Sequence, residues 1–203
     1  MNIERIVCGS LEANCYIIYR KDGGSAYIID PGYDKVRTQA FIQEHGLEVK
    51  AILLTHAHHD HSGKANALAE YYGVGVCAHR GELDYSNYKG KRLSADRLLE
   101  DGEILDLDGE SIVAFHTPGH SAGGLCFYSE KSRVAFTGDL IFNVDLGYTH
   151  FDGGSAEQMK ESIVKVVNRW SNDVKIYPGH GDPATMKYVR EANLEFLEMV
   201  RDA

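Results

Sequence analysis

Cations are in short supply in this 203-residue chain: 21 Lys and Arg stand against 30 Asp and Glu, a net charge of −9 with histidine neutral. Phosphate backbones are held by clustered cations, so nucleic acid is not expected as a partner. Long apolar runs are missing as well. Runs such as Ala51 to Leu54 are far too short to span a bilayer, and no membrane partner is expected. The opening MNIERIVCGS has no basic stretch followed by an apolar core, so no signal peptide is expected. Cysteine is sparse and scattered: Cys8, Cys15, Cys77 and Cys126 form no CxxC pair, and each sits beside apolar residues. That pattern reads as four buried thiols in a reducing cytoplasm, not as a disulfide framework. There is also no GxSxG elbow to supply a serine nucleophile.

What is present is ordinary globular usage, 43% hydrophobic and 25% charged. A chain of this size buries roughly 70% of its unfolded surface, enough for a full core. Runs rich in Ile, Val, Leu, Phe and Tyr predict strands at Cys15 to Tyr19, Ala26 to Ile29, Ala51 to Leu54, Ile112 to Phe115, Leu125 to Tyr128, Val134 to Phe136 and Val174 to Tyr177. Gly23-Gly24 signals a hairpin between the first two. Helical spacing is expected over Asp34 to Glu44, with Val36, Ala40 and Phe41 apolar, and over Lys64 to Tyr72, closed by Gly73. Ser155 is the expected N-cap of a helix burying Met159, Ile163, Val166 and Val167. A last helix is expected from about Ala184 to Val200, with Val189, Phe196, Leu197 and Val200 inward. The segment from Tyr85 to Glu103 reads as a connection or as a flap over a site. No linker divides the chain, so the expectation is a single α/β domain over residues 1–203.

The 10 histidines are distributed unevenly. Four strand-like runs end alike, in a tight polar turn bearing histidine or aspartate: Thr55-His56-Ala57-His58-His59-Asp60-His61, Thr117-Pro118-Gly119-His120, Thr137-Gly138-Asp139 and Pro178-Gly179-His180. In α/β sheets, sites form beyond the strand ends, so these four turns should converge on one cleft. With Thr55 to Asp60 extended, His56, His58 and Asp60 share one backbone parity and His61 takes the other. One short segment then serves two adjacent points. His56, His58 and His120 form one ligand set; Asp60, His61 and His180 form a second; Asp139, with two oxygens, can bridge them. Imidazole nitrogen and carboxylate oxygen suit two divalent cations, zinc first, with iron or manganese possible. His45, His79 and His116 read as ordinary surface or hydrogen-bonded residues. His59 has no place in the scheme and is expected to face away or to bond locally.

These turns resemble the metallo-β-lactamase superfamily, and within it the glyoxalase II-like (hydroxyacylglutathione hydrolase-like) branch. The matching residues are Asn14-Cys15-Tyr16, Asp30-Pro31-Gly32, His56-x-His58-x-Asp60-His61, Thr117-Pro118-Gly119-His120-Ser121-x-Gly123, Thr137-Gly138-Asp139-x-Ile141-Phe142 and Pro178-Gly179-His180-Gly181, in the family's order. The resemblance implies a four-layer αββα sandwich with a dinuclear metal site at one edge, and it supports the same ligand division. β-Lactamases of the superfamily typically carry cysteine at the bridging position and lack the histidine after the motif's aspartate. Asp139 and His61 therefore speak against lactam hydrolysis as the main activity. Two departures stand out. The sequence stops about twenty residues after His180, like the short single-domain members. Where relatives commonly read Gly-Arg-x-Asp, this chain has Gly147-Tyr148-Thr149-His150.

The implied activity is metal-dependent hydrolysis of a thioester, such as hydroxyacyl-glutathione or a related acyl-thiol. A hydroxide shared by two cations would attack the carbonyl, Asp60 would bind metal and orient that hydroxide, and Asp139 would hold the pair of ions. Tyr148, His150, Lys89 and Arg92 are the candidate substrate contacts. A mononuclear iron persulfide dioxygenase, a lactonase or other ester hydrolase, and a metal-binding sensor without turnover remain as alternatives.

Overall fold

Strand β2 (Ala13–Tyr19) shows how the sequence builds two cores at once. All seven residues are buried. Side chains alternate across a strand, so Cys15, Ile17 and Tyr19 enter one cluster while Tyr16 and Ile18 enter another. A computed structural model describes residues 1–83 and 93–201. In it β2 lies between β1 (Asn2–Cys8) and β3 (Ser25–Ile29). The sheet continues through β4 (Glu48–Leu53), β5 (Val76–Ala78) and β6 (Arg97–Leu98). A second sheet has the order β12 (Ala184–Thr185), β11 (Lys175–Pro178), β10 (Val134–Gly138), β9 (Leu125–Ser129), β8 (Ser111–His116), β7 (Glu103–Asp106).

The two sheets face each other through Tyr16, Ile18, Ile29 and Leu53 on one side and Ile112, Leu125, Phe127 and Phe136 on the other. The outer face of the first sheet is covered by α1 (Lys35–Glu44) and α3 (Ala65–Tyr72), which contribute Ile42, Ala65 and Leu68. The outer face of the second packs on α4 (Ala156–Lys165), α5 (Met186–Ala192) and α6 (Leu194–Val200) through Met159, Ile163, Met186, Val189 and Phe196. The result is the αββα sandwich that the resemblance implied. A further one-turn helix, α2 (His59–Ser62), belongs to the site.

All seven expected strands are present, and the Gly23-Gly24 turn joins β2 to β3 as an antiparallel pair with Tyr19 opposite Ala26. Gly73 closes α3 at φ +68°, and the Ser155 hydroxyl caps α4 by accepting from the Gln158 N–H at 3.3 Å. All four cysteines are buried and unpaired. No helix among the described residues is long and apolar enough to cross a membrane.

Several local expectations give way to packing. In α1 it is Thr38 and Ile42 that face the sheet, while Val36 and Ala40 point outward. Thr38 can be buried because its hydroxyl donates to the Asp34 carbonyl at 2.8 Å. Helix α4 stops at Lys165, so buried Val167 lies in a following 3-10 turn and Val166 is only half-buried. Strands β1, β5, β6, β7 and β12 had no clear signal, being short or polar on one face. The segment expected as a connection or flap holds β6 within its described part, residues 93–103.

The expected helix over Ala184 to Val200 is broken. Ala184 and Thr185 form a strand, and Asn193 (φ −88°, ψ 97°) separates α5 from α6. Buried Asn193 explains the break: its Oδ1 accepts from the Phe196 N–H at 2.9 Å, and its Nδ2 donates to the carbonyls of Phe142 and Asp145 at 3.2 and 2.8 Å. The change of direction leaves Leu197 outward and Phe196 inward. Asn193→Ala should destabilise the protein by about 2 kcal/mol, a lost cap plus a Phe142 carbonyl left without its donor, the Asp145 carbonyl keeping the Phe142 N–H. Denaturant unfolding checks this; a change under 0.5 kcal/mol would contradict it.

Candidate metal centre

Strand β4 leaves its sheet at Leu54, and the Thr55 carbonyl accepts from Leu125 N–H at 2.8 Å, which ties this strand end to β9 of the other sheet. The extended backbone persists to His58 (φ −55°, ψ 144°) and then coils into α2, with His61 N–H bonded to the His58 carbonyl at 3.0 Å. The parity expectation is therefore corrected. Asp60 and His61 are separated from His56 and His58 by a helical turn rather than by strand alternation. His120 follows β8, Asp139 follows an irregularity at the end of β10, and His180 follows β11.

The seven expected ligands meet at one place. His56, His58 and His120 bring one ring nitrogen each to within 4.8 Å of one another, and Asp60, His61 and His180 do the same with their ligand atoms. His120 Nε2 lies 2.9 Å from His58 Nδ1, and His61 Nε2 lies 3.2 Å from His180 Nε2. Asp60 Oδ2 is 3.3 Å from His180 Nε2 and 3.5 Å from His61 Nε2. Asp139 stands between the sets. Its Oδ2 is 3.6 Å from His120 Nε2, 3.5 Å from His180 Nε2 and 4.0 Å from His56 Nε2, and its Oδ1 is 3.4 Å from His61 Nε2.

The donor atoms fit cations. His56 Nε2 and Asp139 Oδ1 are buried without a hydrogen-bond partner, a condition native structures rarely tolerate unless an ion is involved. Nitrogen and carboxylate oxygen in this proportion suit zinc, iron or manganese. The charge states divide along the same line. Burial, and after it the other histidines, holds His56 well below its ordinary range, and burial with His120 lowers His58 to about 4. Burial also outweighs Asp139 at His120 and lowers it. Burial thus favours the neutral, metal-binding form of all three rings. Burial opposes protonation of His61 too, but Asp139, Asp30 and Asp60 outweigh it and raise it to about 10; His180 is also raised, burial being outweighed there by Asp60 and Asp139. Burial would raise Asp60, but His180 and His61 hold its carboxyl well below the carboxylate range.

Each ring is aimed by what its other nitrogen binds. His120 Nδ1 donates to the Tyr148 carbonyl at 2.7 Å, and His180 Nδ1 to the Leu11 carbonyl at 2.9 Å. His56 Nδ1 meets Thr55 Oγ1 at 3.0 Å, and that hydroxyl donates to Asp30 Oδ2 at 2.5 Å. Asp30 also accepts from Thr55 N–H at 2.7 Å and faces His61 Nδ1 at 3.2 Å. This residue, buried and at φ 52°, was not singled out as a site residue from the sequence. Its signal was there: Asp30 ends β3 as the other acids and histidines end their strands. It lies near enough to His56 and His61 to form a third acid-histidine group, but its oxygens are engaged by Thr55 and His61, so it anchors ligands. Glu82, also buried, ties two of the turns together: Oε2 accepts from Ala57 N–H at 2.6 Å and Oε1 from Gly123 N–H at 2.8 Å. Nothing in the sequence marked it. Gly179 has to be glycine, because a methyl group there would overlap Asp139 Oδ1 and crowd the His61 ring.

A cleft of about 770 Å³ opens above these ligands. Of the candidate substrate contacts, Tyr148 lines it. His150 does not; it is exposed and packs on Phe151 at 4.5 Å. His59 lines the cleft instead of facing away, its ring edge-on to Tyr33 at 5.7 Å. His45 pairs with Asp22, and His79 stacks on His116 at 3.9 Å. Lys89 and Arg92 lie outside the described residues.

Asn tolerates positive φ, so Asp30→Asn removes charge while keeping the turn. Competition with a chelator should show metal affinity about 10–100-fold weaker in this variant, with far-UV circular dichroism unchanged; unaltered affinity would contradict the anchoring role.

Residues 9–180 match the family model of the metallo-beta-lactamase superfamily. Hydroxyacylglutathione hydrolase GloC of Haemophilus influenzae is 35% identical, across 95% of this chain and 97% of its own length. Among solved structures, BLEG-1 B3 metallo-beta-lactamase aligns with a TM-score of 0.86 at 29% identity, covering 95% of this chain and 98% of that one. TTHA1623 in a di-iron-bound form aligns with a TM-score of 0.82 at 28% identity, covering 94% and 98%. The match takes in all four turns and both sheets, and the chain belongs to the metallo-beta-lactamase superfamily.

Proposed function

We propose that this protein is a metal-dependent hydrolase of acyl thioesters, hydroxyacyl-glutathione or a related acyl-thiol, working in a reducing cytoplasm as one catalytic domain. The observation that carries the proposal is the pair of three-ligand sets on either side of Asp139. Similarity to GloC, over nearly the full length of both chains, supports the substrate class. Similarity to a protein solved with two irons supports the count of two ions.

His56, His58 and His120 would hold one divalent cation and Asp60, His61 and His180 the other, with Asp139 shared; zinc, iron and manganese all suit the set. Such a pair supplies Lewis acidity and a strong nucleophile at neutral pH, so no side-chain nucleophile is required. The protein's part is positional. Asp60, kept ionised by His180 and His61, accepts a hydrogen bond from the attacking water and fixes its line of approach. Asp139 keeps the two ligand sets in register. Phe142, Leu146 and Tyr148 wall the cleft and shed water from around the thioester. In the net reaction water adds to the acyl carbon, the carbon–sulfur bond breaks, and a carboxylic acid and a thiol leave.

Metal content and a substrate panel on one preparation test this. Two metal equivalents per chain and turnover of acyl thioesters well above lactones, persulfides and a β-lactam are expected. One iron with sulfite released from a persulfide, or a metal-replete sample inert to every substrate, would contradict the proposal. Asp139→Ala should lose one metal equivalent and at least about a thousandfold in rate, whereas full activity in that variant would refute the shared-carboxylate arrangement. Chelation should abolish turnover, and added divalent metal should restore it.

A further inference from the structure

The cleft has a charge pattern that hydrolysis itself does not call for. Among the described residues lining it there is no lysine or arginine, yet Asp145 and Glu195 stand on its wall in addition to Asp60 and Asp139. The two acids are neighbours: burial, and then the like charge of Glu195, holds the Asp145 carboxyl above its ordinary range. Their wall is anchored. Glu195 Oε2 accepts from Leu146 N–H at 2.8 Å, and Asn193 Nδ2 donates to the Asp145 carbonyl at 2.8 Å. The remaining rim is apolar and open. Leu11, Val144, Tyr148 and Phe151 line the same cleft and are 60%, 45%, 69% and 45% exposed. Large apolar side chains grouped around one opening mark a surface that something apolar covers.

We infer that the cleft selects acyl thioesters whose thiol half is uncharged, and that it disfavours thiol carriers bearing carboxylates, glutathione among them. The inference rests on the thioester reading above and narrows it. The cleft, at about 770 Å³, is much larger than the reacting carbonyl needs, so the rest of the substrate runs along the wall. Glutathione carries two carboxylates and one ammonium at neutral pH. Its carboxylates would meet the like charges of Asp145 and Glu195 on the cleft wall, a juxtaposition that costs binding. An uncharged chain avoids that repulsion and covers the apolar rim.

S-Lactoylglutathione and S-lactoyl-N-acetylcysteamine share an acyl group and differ in the thiol half. The metal-loaded protein should show kcat/KM at least about tenfold higher for the uncharged ester, the gap lying in KM and narrowing as salt rises. In an Asp145→Asn/Glu195→Gln double variant both side chains keep a hydrogen-bonding oxygen, and the gap should close through a lower KM for lactoylglutathione. Calorimetric binding of S-hexylglutathione and S-hexyl-N-acetylcysteamine to the native protein makes the same comparison without turnover. A ratio at or below one, a ratio unmoved in the folded double variant, or tighter binding of the glutathione thioether would overturn the inference and leave thioester hydrolysis standing. No turnover of either ester by protein carrying two metal equivalents would instead overturn the thioester reading, and the inference with it.

Discussion

Asp139 holds one carboxylate oxygen between 3.5 and 4.0 Å from ring nitrogens of His56, His120 and His180, and the other 3.4 Å from His61. It does so at 9% exposure, with Oδ1 lacking any hydrogen bond. A buried carboxylate costs several kcal/mol unless opposite charge compensates it. The acids around His61 favour its protonated form and supply part of that compensation in the protein alone, but burial lowers His56, His58 and His120, so that side offers less. Ring nitrogens of these three histidines converge there beside an anion. Two cations would resolve both halves, by binding the ring nitrogens on one side and displacing the proton of His61 on the other.

The sandwich makes that convergence geometrically cheap. β4 belongs to the first sheet; β8, β10 and β11 belong to the second, yet their ends lie together. Backbone hydrogen bonds join the ends directly. Leu125 N–H bonds the Thr55 carbonyl, Gly179 N–H bonds the Gly138 carbonyl, and Asn14 N–H bonds the Gly179 carbonyl at 2.7 Å. Asn14 Nδ2 and the Tyr16 hydroxyl add bonds to the Pro178 carbonyl. The candidate ligands are thus mounted on strand ends whose backbones hydrogen-bond one another, and Asp30 and Glu82 fix what the strands leave free. A site held within fractions of an ångström needs such support, since loosening by about 1 Å is enough to impair it.

Much of this was legible in the sequence because two signals are local. An apolar run followed at once by histidine or aspartate marks a strand end with a candidate ligand, and it singled out His56, His120, Asp139 and His180, which the structure brings together. The local geometry was only half legible: strand alternation had been expected to part His61 alone from His56, His58 and Asp60, whereas α2 coils Asp60 and His61 together away from His56 and His58. What escaped depends on contacts distant in sequence. Asn193 breaks a helically spaced segment because it caps α6 and binds carbonyls near residue 143. Glu82 matters through Ala57 and Gly123. Thr38 rather than Val36 turns inward because the sheet's position, not hydropathy, selects the face of α1. Family resemblance supplied the layer order, which periodicity alone does not fix.

The central claim is that two cations sit side by side and share Asp139, and the most direct measurement is X-ray absorption fine structure on protein loaded with two equivalents of zinc. The account predicts a metal–metal scattering path near ~3.5–4 Å over a shell of light nitrogen and oxygen neighbours. Nitrogen and oxygen scattering alone, with no metal–metal path at full loading, would contradict it.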